Sequence, residues 1–181
     1  MKTHLLLLAA ATLLLAAGCR SSEADASRDR ELFTEARRLI TSGEAECVVI
    51  TADRRLVAER GRGVSPLLKL YDGHAAEMKG ATVVDKVIGR AAAAIAIVGG
   101  AKRVHGEVMS EDAVVFLLAN GVYASHTLLV PRILNMKRDG LCPLEQSVEG
   151  ISDPAAAVAA LRRRVAELQR GAAPKQDAPK R

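Results

Sequence analysis

Asp85, Lys86, Ser110, Glu111, Cys142 and Glu145 are the side chains of this sequence best suited to reaction chemistry. Asp85 or Glu145 would move a proton, Lys86 would hold a charge in place, and Cys142 would supply a thiol. Cys142-Pro143 precedes a short helical turn, where a thiolate is stabilised. Arg62 stands between Gly61 and Gly63, and glycines on both sides let a backbone come close to a ligand. Lys86 and Arg90 share a face if they lie four apart on one helix. The plainer alternative is that Asp85 and Ser110 only cap helices while Lys86 and Arg90 are solvated.

The elements that would carry these residues follow from hydrophobic spacing. Leu32, Phe33, Ala36, Leu39 and Ile40 form one helical stripe, begun by Ser27 and ended by Gly43. Cys47 to Ile50 is a β-branched run expected as a buried strand, and Leu56 to Arg60 returns as its hairpin partner. Ser65-Pro66 reads as cap and first residue of a helix ending at Asp72-Gly73, and residues 74–80 as loop. Asp85 is expected to open a helix that is apolar nearly all round from Val87 to Val98 and stops at Gly99-Gly100. Arg103 to Met109 alternates as a strand. Ser110 then caps a helix with Glu111 and Asp112 in its first turn, and Val122 to Val130 is the next strand. Strand, helix and strand with short links predict parallel pairing through a right-handed crossover. Residues 131–140 read as loop, and Leu141 to Glu145 as a short helical turn. A last helix starts at Ser152-Asp153-Pro154. Residues 27–150 form the expected domain, residues 151–170 the terminal helix, and residues 171–181 a disordered basic tail.

At 181 residues, 49% of them hydrophobic, the chain has the material for one domain. Two tyrosines, two phenylalanines and no tryptophan leave little for a base-stacking platform. The net charge of +5 is concentrated at the C-terminus, in Arg162 to Arg164, Arg170, Lys175, Lys180 and Arg181. That distribution suits a solvated helix face and tail, and no nucleic-acid partner is expected.

The N-terminus has the layout of an export signal. Lys2 precedes an apolar stretch from Leu5 to Ala17, broken only by Thr12. As a helix it rises roughly 20 Å, short of the roughly 30 Å of bilayer hydrocarbon. Ala16-Ala17-Gly18-Cys19 resembles a lipobox, with Leu15 one place further back than the usual leucine. The expectation is cleavage after residue 18 and lipidation of Cys19, with residues 19–26 as tether. The membrane is then the partner through acyl chains such as palmitate, on the periplasmic or extracellular side of a bacterial envelope. In that oxidising compartment Cys47 and Cys142 are either a disulfide or redox pair, or two free thiols. A third possibility is a non-enzymatic envelope lipoprotein whose basic tail touches anionic lipid or wall polymers.

A resemblance joins several of these segments. Cys47-Val48-Val49, Arg62-Gly63-Val64-Ser65-Pro66-Leu67-Leu68 and Lys79-Gly80-Ala81 come in order, followed by Asp85-Lys86-Val87-Ile88-Gly89-Arg90-Ala91. Val108-Met109-Ser110-Glu111, Leu129-Val130-Pro131 and Cys142-Pro143-Leu144-Glu145 complete the series. In order and spacing this resembles the domain-of-unknown-function family eighteen-ninety-three, placed in the cytidine-deaminase-like superfamily. The resemblance implies an α/β fold of three α/β/α layers around a mixed sheet, with a ligand cleft between two helix N-termini. Zinc deaminases carry His-x-Glu at one helix start and Pro-Cys-x-x-Cys at another, giving three ligands and a proton carrier. The expected starts here, Val84-Asp85-Lys86 and Ser110-Glu111-Asp112-Ala113, offer neither histidine nor cysteine. His74 lies before the first of them with the wrong spacing. No metal and no cofactor are expected. The expected function is binding of a small anionic or nucleotide-like ligand, with Arg62, Gly63, Lys86 and Arg90 as contacts.

Overall fold

The computed structural model describes residues 23–172. The predicted signal peptide, Cys19 and the tail beyond residue 172 lie outside the described residues. The first helix, α1, occupies residues 23–41. Leu32, Ala36 and Ile40 recur every fourth residue and are buried, with Phe33 and Leu39 packed beside them. The helix is already running before Ser27, whose hydroxyl donates to Glu31 Oε1 at 3.4 Å rather than capping. Residues 23–26, expected as part of the tether, are therefore helical. Gly43, at φ 76°, carries the chain out of it.

The hairpin of β1 (Cys47–Ile50) and β2 (Leu56–Glu59) follows. Its turn is tied by Thr51, which accepts the Arg55 amide at 2.9 Å. Next come α2 (Ser65–Gly73) and the short α3 (Ala75–Met78), where loop was expected. Val64 precedes α2, and Ser65 is its first residue rather than its cap. After these, β3 (Thr82–Ile88), α4 (Arg90–Val98), β4 (Arg103–Ser110), α5 (Glu111–Ala119) and β5 (Tyr123–Val130) alternate. The chain closes with α6 (Pro143–Gln146) and α7 (Pro154–Ala172).

The five strands form one mixed sheet in the order β2-β1-β3-β4-β5. β1 is antiparallel to both β2 and β3, while β3, β4 and β5 are parallel. Each parallel pair is joined by one helix, the crossover that right-twisted strands favour. The expected fold class is what the chain adopts. One expectation fails locally: Asp85 does not open a helix. Thr82 to Ile88 is a strand, and the helix starts only after Gly89. Val83, Val84, Val87 and Ile88 have the β-branched shape that packs on a pleated surface. Both the strand and the following helix are buried, so the apolar run crosses the junction without a break.

Alternation along the strands divides the core into two layers. Val48, Ile50 and Val84 point to α1, the one helix among the described residues that covers that face. Cys47, Val49 and Val83 point the other way, toward α2, α4, α5 and α7. α4 lies at the centre of that layer. Residues 91–96 are all buried, and the five alanines among them let α2, α5 and α7 approach it from different sides.

Candidate functional site

The ends of β3 and α4 meet the loop before α2 and the short helix α6 around a narrow cleft of about 110 Å³. A volume near 110 Å³ holds one small ring or a few waters. Gly63 and Val64 form one wall, Asp85 and Val87 the floor, and Gly89 the α4 side. Cys142, Leu144 and Glu145 close it from α6.

Asp85 reaches this floor because β3 puts it opposite Cys47 of β1, on the same face. It is buried, and its Oδ1 accepts the amide of Val87 at 3.0 Å. Burial pushes its carboxyl up to about 7, against the pull of the Val87 amide and of the Cys47 thiol, which donates to it. Burial first, and then the charge of Asp85, push the Cys47 thiol well above its ordinary value. A thiol in that position is a poor nucleophile. Among the described residues Cys47 and Cys142 are both free thiols, not a disulfide.

Glu145 does what no sequence pattern announced. Its Oε2 accepts the amide of Arg90 at 2.7 Å and its Oε1 that of Ala91 at 3.1 Å. A carboxylate distant in sequence thus caps α4 and complements its dipole. Burial raises the Glu145 carboxyl, while the two amides hold it down in part. Gly89 makes room for it: a Cβ there would lie 2.4 Å from the carboxyl group. The signal that could have found this is Gly89 itself, a glycine between a β-branched run and a helix.

The other expected site residues divide. Lys86 lies at the rim, half exposed and paired with Glu46 at 3.3 Å. It sits on β3, so it does not share a helix face with Arg90. Arg90 is not a free ligand contact. Its guanidinium bonds Asp112 at 2.8 Å and the carbonyl of Ile151 at 2.7 Å, and it lies 4.0 Å over the Phe116 ring. Ser110 caps α5, accepting the Ala113 amide at 3.2 Å. Ser110 and Glu111 line a separate depression of about 440 Å³ beyond Glu145. Arg62 is exposed on the loop that carries Gly63 into the cleft. Gly61 and Gly63 have φ of 156° and 56°, so that loop does need its glycines.

The helix starts beside this cleft are Val64-Ser65-Pro66 of α2 and Gly89-Arg90-Ala91 of α4; the starts of α4 and α5, expected to flank a ligand cleft, meet instead at the separate depression lined by Arg90, Ser110 and Glu111. None of these starts supplies histidine or cysteine. Among the described residues no three His, Cys, Asp or Glu side chains are grouped to hold a metal ion. The residues present do not fit a zinc-deaminase centre. His105 of β4 is buried beneath Phe33, whose ring meets it edge-on at 5.0 Å.

Residues 35–165 match the family model described as TM1506, domain of unknown function (DUF1893). The fold is similar to the crystal structure of a DUF1893 family protein from Thermotoga maritima, determined at 2.70 Å resolution. The TM-score is 0.66 at 21% identity, over 76% of this chain and 90% of that one. No curated protein matches.

Proposed function

The chain belongs to the DUF1893 family, and on that premise we propose that its domain binds a small molecule with a nucleobase-like ring in the cleft between α2 and α4. The observation behind this reading is a pair of carboxyl groups, the buried Asp85 and the partly buried Glu145, brought by different elements to one cavity of single-ring size. Each still has oxygen lone pairs to offer to N–H groups of a ligand. Val64, Val87 and Leu144 supply the apolar walls that a flat ring requires.

The acidic lining shifts the expected chemistry from anion to hydrogen-bond donor. Glu145 already fills the α4 N-terminus, so a free anion has no seat there. The charged part of a nucleotide-like ligand would lie outward, by Arg62 and Lys86. A nucleobase-sized cleft, with no group of three metal-holding side chains among the described residues, suits recognition of such a molecule better than metal-assisted hydrolysis. Asp85, held near neutrality, is the group suited to exchange a proton with the ligand.

Titration calorimetry of the full-length chain with cytosine, uracil, adenine and guanine tests this. The expected result is saturable binding of at least one base, weakened tenfold or more in Asp85→Asn and in Gly63→Val. No binding by any base, or binding that both variants retain, would overturn the proposal.

A further inference from the structure

We infer that the chain forms a homodimer by antiparallel pairing of β5 with β5 of a second copy, joining two five-stranded sheets into one of ten. β5 is eight residues long and pairs on one side only, with β4. Tyr123 donates its amide inward, to the carbonyl of Lys102. In a regular strand, Ala124, His126, Leu128 and Val130 therefore turn both N–H and carbonyl outward. Among the described residues nothing bonds to that outer row.

Edge strands that must stay single are normally short, charged, bulged or broken by proline. β2, the other edge of this sheet, has only four residues. β5 has none of these protections: Tyr-Ala-Ser-His-Thr-Leu-Leu-Val carries no Lys, Arg, Asp, Glu or Pro. Its register with β4 keeps a constant offset throughout, so there is no bulge. A strand without fixed charge can face its own copy in reverse without opposing like charges.

The surroundings of the strand are apolar as well. Tyr123 is 61% exposed, Leu128 54% and Leu129 42%. On α5, which packs over β5, Val115 and Leu118 lie one turn apart at 66% and 56%. These five side chains present on the order of 500 Å² of surface, against the roughly 800 Å² per partner of a stable interface. The paired backbone and the flanking residues supply the remainder. A two-fold axis perpendicular to the sheet brings each α5 beside its mate, so strand and helix patches are covered together.

Light scattering of the full-length chain in detergent, at micromolar concentration and corrected for bound detergent, gives the mass. The expected result is twice the chain mass, falling to the chain mass in Leu128→Lys. Leu118→Lys, on the helix, should also yield monomer, and it decides the matter if Leu128→Lys fails to fold. Leu134→Lys, an exposed apolar position outside this patch, should remain dimeric. A wild-type monomer would overturn the inference. So would a dimer that survives both Leu128→Lys and Leu118→Lys. A monomer whose outward β5 amides resist hydrogen exchange would assign the edge to another segment of the same chain, and would overturn it too.

Discussion

Asp85 carries a consequence for stability that its chemistry alone does not suggest. Its carboxyl titrates near 4 in an unfolded chain and at about 7 in the fold. Between those values the native state holds the proton and the unfolded state does not, so stability falls as pH rises. The loss from pH 4 to pH 8 amounts to as much as about 4 kcal/mol. Asp85→Asn, which keeps an acceptor for the Val87 amide, should abolish that loss. Chemical denaturation at the two pH values is expected to show the variant more stable than the parent at pH 8 and nearly equal at pH 4. A parent whose stability does not change over this range would contradict the burial account. From sequence, Asp85, Lys86, Cys142, Glu145 and Gly63 were legible as residues of one site, through their chemistry and the family pattern. The role of Glu145 as the cap of α4 was not legible, because it depends on a contact across more than fifty residues. The partners of Arg90 were not legible for a related reason. Its partners Asp112, Phe116 and Ile151 meet it only once α5 and α7 are packed.

Elements whose pattern stands alone were readable: α1 from its four-residue spacing, β1 from its β-branched run, and β4-α5-β5 from alternation and the Ser110 cap. β3 was not, because burial on both faces removes the polar positions that reveal a period. Gly89 was the sole mark of the junction. α1 is attached by its apolar stripe, by Arg54 of the β1–β2 turn, which pairs with Asp25 at 3.0 Å and Asp29 at 2.8 Å, and by Arg37. Arg37 Nε and Nη2 donate to Glu107 of β4 at 2.7 and 2.9 Å, and Thr127 of β5 adds a bond at 2.7 Å. The Arg37 guanidinium holds the Glu107 carboxyl at about 2, well below its ordinary value. The stabilisation is complete above the unfolded value near 4.5 and is lost as pH falls toward 2. Arg37 is more than a third exposed, so solvent screening limits the gain to about 1 kcal/mol. Glu107→Gln should lower the melting temperature by a few degrees at pH 6 and leave it unchanged at pH 2. An equal shift at both values would mean that the residue acts through packing.

At the scale of the molecule, the class and order of layers followed from the strand and helix alternation together with the family resemblance. The unequal covering of the sheet did not, since no local pattern records which face a helix takes. The resemblance covers the folded domain alone, and the expectation of a lipid anchor rests on the lipobox-like Ala16-Ala17-Gly18-Cys19. We propose that Cys19 is acylated and that α1 follows it almost at once. Metabolic labelling with radioactive palmitate in a bacterial host should mark the wild type. Cys19→Ser should lose the label and move from the membrane to the soluble fraction. A wild type without label would remove the anchor from the account.

A single helix standing guard over one face of the sheet also sets how the protein opens. Detachment of α1 breaks its apolar stripe, the Phe33–His105 contact and the half-exposed ion pairs of Arg37 and Arg54, whereas α4 packs against α2, α5 and α7 together. The α1 amides therefore form a low-energy cooperative unit, exchanging together and ahead of the sheet. While it is open, Val48, Ile50 and Val84 face water as a bare apolar strip. Proteases and quality-control factors would meet this state first. The lifetime of the protein in a cell is then governed by how often its first helix lifts, more than by how firmly its centre is packed.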